Sequence, residues 1–183
     1  MNATLTSRPP FDPAYLRRRG SPVAVEVLVC GSPDRGDDGA PLAAVRRLRA
    51  SLPADVLVRV VGQLDVDDLL SIHKDAGVVI VDAATGIDPG SVVELPLNGL
   101  IDRQDDIQPR SSHALAIREV IGLAKMIRGR PLRGRIVAIG GQQFGLGRPI
   151  SRRVAMASAA LSLAVLDAVE RVRPAVDPAS GGA

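Results

Sequence analysis

Apolar positions along this chain recur with two different periods. Short β-branched runs alternate with segments in which apolar residues return every three or four positions, the mark of helices with one buried face. The first run extends from Val23 to Cys30, and a helix is predicted from about Asp38 to Ser51, with Leu42, Val45, Leu48 and Leu52 as its buried stripe. A strand over Val56 to Val61 and a short helix over Val66 to Ile72 follow. GVVIVD, from Gly77 to Asp82, is apolar on both faces and reads as a central strand. Asp88-Pro89-Gly90 is a turn signal, and a strand from Ser91 to Leu95 comes after it. The polar, Pro-containing stretch from Leu97 to Ser111 reads as a long loop. It is followed by a helix near Ser112 to Ile127, a strand near Arg135 to Gly140 and a final helix from Ser151, a plausible N-cap, to about Arg171.

This alternation predicts a three-layer α/β/α fold, a mostly parallel twisted sheet of about five strands with helices on both faces. Functional sites in such sheets lie at the carboxyl ends of the strands. No internal repeat interrupts the pattern. Residues 1–22 and 174–183 lack periodicity and are rich in Pro, Gly or polar residues, so they are expected to be a flexible arm and tail around one domain at 23–173.

Composition narrows the possibilities. A chain of 183 residues that is 46% hydrophobic can bury one substantial core. Its net charge is only +3, its basic residues are dispersed, and Phe11, Tyr15 and Phe144 are its only aromatic residues. Without a basic block or stacking platforms, nucleic acid is not an expected partner. Cys30 stands alone, which rules out an internal disulfide and a Cys-based zinc cluster. No apolar run approaches the roughly 20 residues of a membrane span, and the N-terminal stretch has no apolar signal core. No membrane partner is expected, and the expected location is the cytoplasm.

Candidate chemistry gathers in the loop after the first strand, CGSPDRGDDGA, Cys30 to Ala40. Its position is that of a phosphate-cradling loop, yet it matches neither the dinucleotide fingerprint nor the Walker spacing, and Asp34, Asp37 and Asp38 would repel a phosphate. Carboxylates there suit a cation. The plainer reading makes Asp37 a helix N-cap and Asp38 a complement to the helix dipole. The other predicted strand ends would bring Gly62 to Asp65, Asp82 to Thr85 and Gly140 to Phe144 to the same edge, with His113 opening the helix after the long loop. Ordinary turn and cap chemistry would equally account for Gln63 and Asp65, and Asp82 would equally be a polar strand terminus. His73 reads as a structural residue near a helix end. Cys30 is a small buried hydrophobe or, in a sharper reading, a nucleophile activated by His113.

Five ordered pieces, VLVCGSPDRGDDGAPLAAVRRL, VRVVGQLDVDDLL, VVIVDAATGIDPGSV, SSHALAI and VAIGGQQFGLGRPIS, together resemble the hydrogenase maturation protease family. These endopeptidases trim the large-subunit precursor of nickel-iron hydrogenases. The resemblance runs from Val25 to Val172. It implies that Asp38 and His113 are catalytic and contact metal, alongside a second acidic ligand at the end of the second strand. No acid stands at that position here, so Gln63 would supply a carbonyl oxygen or Asp65 would reach in. The resemblance further implies no permanently bound metal: the nickel already loaded in the precursor is what the enzyme meets. Asp38 would act as general base, or the metal would polarise the scissile carbonyl or a bound water. Two rivals remain, a catalytically silent homologue serving as an assembly checkpoint and a cysteine hydrolase using Cys30 and His113.

Overall fold

The computed structural model describes residues 23–102 and 112–174, with side chains for 23–100 and 117–174. Strands β1 (Val25–Cys30), β2 (Val56–Gly62), β3 (Gly77–Ala84), β4 (Val92–Pro96) and β5 (Gly134–Gly140) form a five-stranded sheet in the order β2-β1-β3-β5-β4. β1 pairs in parallel with both β2 and β3, and β3 with β5, whereas β4 runs antiparallel to β5 at one edge. The expected mostly parallel sheet is therefore present. Its antiparallel edge arises because Asp88-Pro89-Gly90 turns the chain back too soon for a helical crossover.

Side-chain alternation sorts the core into two halves. Val27, Val29, Val79 and Val81 meet Leu42, Val45 and Leu48 of α1 (Ala40–Leu48) and Leu161, Val165 and Val169 of α6 (Ser158–Val172). On the opposite face Leu28, Cys30, Val78 and Ile80 meet Leu69 of α2 (Val66–Leu70) and Ile117, Ile121 and Ala124 of α4 (Ser112–Arg128). Helices thus cover both faces, and every residue of β1 is buried. That includes Glu26, whose carboxylate is paired with Arg59 at 3.3 Å while Arg59 reaches Asp68 at 2.8 Å. Fully burying one such Leu contributes about 1.5–3 kcal/mol.

Three expectations change. The first predicted helix is a single 3-10 turn, Gly36–Gly39, followed by α1 with Pro41 in its first turn, where a missing N–H costs nothing. The predicted loop from Leu97 begins as a helix, α3 (Leu97–Asp102), because Leu97 and Leu100 sit three apart and pack into the second core half; residues 103–111 of that loop lie outside the described residues. The final helix is divided into α5 (Arg152–Met156) and α6, and Ser151 precedes α5 without a side-chain cap hydrogen bond. The predicted arm, 1–22, and all of the predicted tail except Pro174 lie outside the described residues. No described helix is long and apolar enough to cross a membrane.

Candidate active site

The site is assembled from the carboxyl ends of β2, β1 and β3, three neighbours in the sheet. β1 ends at Cys30, and Gly31 turns the chain with a φ of 104°. Glycine is required there twice over, since a Cβ would be strained at that φ and would overlap the Asp38 carbonyl oxygen. Gly31 N also donates to Gly62 O at 2.6 Å, tying the end of β1 to the end of β2. The β1/β2 register slips by one residue here, from Val29 opposite Val60 to Cys30 opposite Gly62. A bulge of this kind re-aims the residues that follow, and here it delivers Gln63 to the cavity wall.

The adjacent acids of the GDDG turn have opposite fates. Asp37 is fully buried. Its Oδ2 accepts from Gln142 N at 2.9 Å and Gln143 N at 3.1 Å, and its Oδ1 accepts from Ser151 N at 2.6 Å. Burial alone would raise its pKa, but the donated backbone N–H groups outweigh burial and hold the carboxyl below its usual value. The loop contacts continue from Gly36 N to Arg148 O at 3.0 Å, Asp37 N to Gln143 O at 2.8 Å and Gly147 N to Asp34 O at 2.7 Å. Asp37 therefore cross-links two loops and is not the helix cap that its position suggests. Asp38 instead stands partly exposed, accepting from Ser32 N at 2.9 Å.

A cavity of about 300 Å³ opens at this edge, lined among others by Cys30, Arg35, Asp38, Gln63, Asp82 and Ile117. Two of the sequence-derived candidates, Asp38 and Gln63, are thus brought together. Asp65 is not part of the lining; it begins α2 in a capping box with Asp68, whose carboxylate accepts from Asp65 N at 3.1 Å. His113 lies in the first turn of α4, one turn before Ile117, and its side chain falls outside the described residues. His73 is exposed at the opposite end of the molecule, beside Asp75.

Asp82 is the addition that sequence reasoning left at a strand terminus. β3 continues past it to Ala84, it is only 7% exposed, and one of its oxygens accepts from Ala83 N at 2.9 Å. Its signal was an acid inside an otherwise apolar central strand, where burial of a charge is costly unless it is used. Asp38 and Asp82 offer carboxylate oxygens and Gln63 an amide oxygen, hard donors that suit a divalent cation. Among the described residues, no group of three His, Cys, Asp or Glu side chains could hold a metal ion. Burial first, then the charges of Asp82, Asp68 and Asp38, push the Cys30 thiol well above its ordinary pKa, against a smaller opposing pull from its backbone hydrogen bond with Leu64. A thiolate is correspondingly disfavoured.

No family model matches the chain. No curated protein matches it either. Solved structures do match. A hydrogenase maturating endopeptidase, HybD from E. coli, superposes with a TM-score of 0.64 at 18% identity, covering 80% of this chain and 91% of its own. A [NiFe] hydrogenase maturation protease HybD from Thermococcus kodakarensis gives 0.61 at 23% identity, covering 79% and 98%. A hydrogenase 2 maturation peptidase from Thaumarchaeota archaeon SCGC_AB-539-E09 gives 0.53 at 26% identity, covering 79% and 97%. The chain has the fold of the hydrogenase maturation proteases. Within the hydrogenase maturation protease fold, the cavity occupies the carboxyl edge of the sheet, where open α/β sheets place their ligands.

Proposed function

We propose that this protein is an endopeptidase that removes a short C-terminal extension from the nickel-loaded precursor of a nickel-iron hydrogenase large subunit. The observation that carries this reading is the convergence of Asp38, Gln63 and Asp82 on one cavity, within a fold shared with named hydrogenase maturation proteases. The oxygen donors of these residues would meet the nickel of the substrate from one side, with His113 at the start of α4 as a further contact. Two carboxylates and an amide make a modest resident metal site, which favours a cation arriving with the substrate over a permanently held one. Water adds to the scissile carbonyl carbon, its proton passing to Asp38 and then to the leaving amine. The partner is accordingly the large-subunit precursor, and the setting is the cytoplasm.

The raised Cys30 pKa argues against the cysteine hydrolase reading, because that chemistry begins from a thiolate. The test offers apo and nickel-loaded precursor to chelator-treated, chelator-freed enzyme, with intact mass as the readout. Cleavage of the nickel-loaded form alone is expected. Equal cleavage of both would overturn nickel gating, and cleavage of neither would favour the assembly checkpoint.

A further inference from the structure

A second cavity, of about 360 Å³, lies at the amino ends of β3 and β5, between Ala76, which precedes β3, and Arg133, which precedes β5. It is separated from the Asp38 cavity by the length of β3, roughly 25 Å at the usual rise per strand residue. Its size falls within the range of small-molecule sites. Among the described residues of its lining, Lys74, Arg128, Arg130 and Arg133 contribute four cations and Asp75 the one carboxylate. The Asp75 carboxylate is already shared between Lys74 at 3.9 Å and His73 at 3.8 Å and is largely exposed.

Two of the arginines are held in place. Arg128 Nη1 donates to Leu69 O at 2.9 Å, Leu70 O at 3.3 Å and Ile72 O at 3.1 Å, while Arg133 Nη2 donates to Asp75 O at 2.8 Å. Capping the end of α2 accounts for one nitrogen of Arg128 but not for Arg128 Nε, which is buried and makes no hydrogen bond. A buried guanidinium N–H without an acceptor is a rare expense in a folded protein. Burial and the neighbouring Arg130 charge also lower the Arg128 pKa, and an anion in the cavity would offset that like-charge repulsion. Fixed guanidinium groups with N–H donors to spare match the geometry of phosphate and carboxylate oxygens.

We propose that this second cavity binds a compact, multiply charged oxyanion, the phosphate group of a small molecule or a dicarboxylate, between Lys74, Arg128, Arg130 and Arg133. The site is independent of the peptidase reading and stands or falls without it.

Calorimetric titration of the full chain with inorganic phosphate and, separately, malonate tests it, at an ionic strength held constant with chloride so that diffuse screening does not vary. Saturable binding of at least one of the two is expected, and the stronger of the pair assigns the oxyanion. Arg130 and Lys74 are exposed, so Arg130→Gln and Lys74→Gln should fold normally, as circular dichroism would verify, and should each weaken binding about ten-fold, the loss of one charge-assisted contact. Arg46→Gln, an exposed arginine of α1, should leave affinity unchanged. No saturable binding of either anion, or equal affinity in the Arg130, Lys74 and Arg46 variants, would overturn the proposal.

Discussion

The backbone N–H of Ser151 donates to Asp37 Oδ1 at 2.6 Å, joining residues 114 positions apart. Gln142 and Gln143 donate to the other oxygen of the same carboxylate, so one side chain fastens the loop after β5 to the loop after β1. The loop that carries Asp38 is thereby held from behind by its immediate neighbour in sequence.

Asp37→Asn should destabilise the protein by about 3 kcal/mol, because an amide sets N–H donors against N–H donors at a fully buried position. The midpoint of urea unfolding reads this directly, with an unchanged slope. An unaltered midpoint would mean that the loops hold without the carboxylate.

Acid unfolding should carry the same signature. The folded Asp37 pKa is depressed, so its stabilisation is fully present above the ordinary carboxylate value, about pH 4, and is lost as pH falls through the lower folded value. Stability curves below about pH 4 should be steep for the native chain and shallower for Asp37→Asn. Parallel curves would assign the acid sensitivity to other carboxylates.

Asp38→Asn and Asp82→Asn should each slow processing of nickel-loaded precursor by about a hundred-fold or more, the usual scale for losing a reacting carboxylate. Asp38→Asn should do so without lowering the melting temperature, since Asp38 is partly exposed. Native rates in either variant would remove that residue from the site.

Gln63 and Asp65 are separable. Gln63→Asp should tighten, and Gln63→Leu weaken, the binding of a divalent test ion, whereas Asp65→Ala should cost about 1 kcal/mol of stability through the lost cap and leave the ion alone. A larger binding loss at Asp65 would reverse the assignment.

Cys30→Ala should process precursor at close to the native rate, with a stability loss of about 1 kcal/mol for the vacated volume. Loss of turnover in a folded Cys30→Ala protein would revive the cysteine mechanism.

Much of this arrangement was legible in the chain. β1 and β3 announce themselves because burial on both faces demands unbroken apolar runs, and a strand end next to a Gly-rich turn marks the functional edge. Local pattern has no access to the rest. Nothing in Asp37-Asp38 tells which acid is turned inward, because that depends on N–H groups more than a hundred residues away. Asp82 reads as a terminus until β3 is seen to run on to Ala84, and α3 is too short for its period to stand out against the polar sequence around it. The break at Ala157 leaves no mark in a continuous helical pattern.

The order β2-β1-β3 has a consequence for divergence. Gln63, Asp38 and Asp82 follow or lie in three adjacent strands, and adjacent strands are held about 4.8 Å apart by backbone hydrogen bonds whatever their side chains. The spacing of the strand ends that carry these residues is therefore a property of the ladder, and the helices packed above and below can exchange nearly all of their residues without resetting it. A sheet built in this way keeps the same gauge across its working edge while the residues that cover it change.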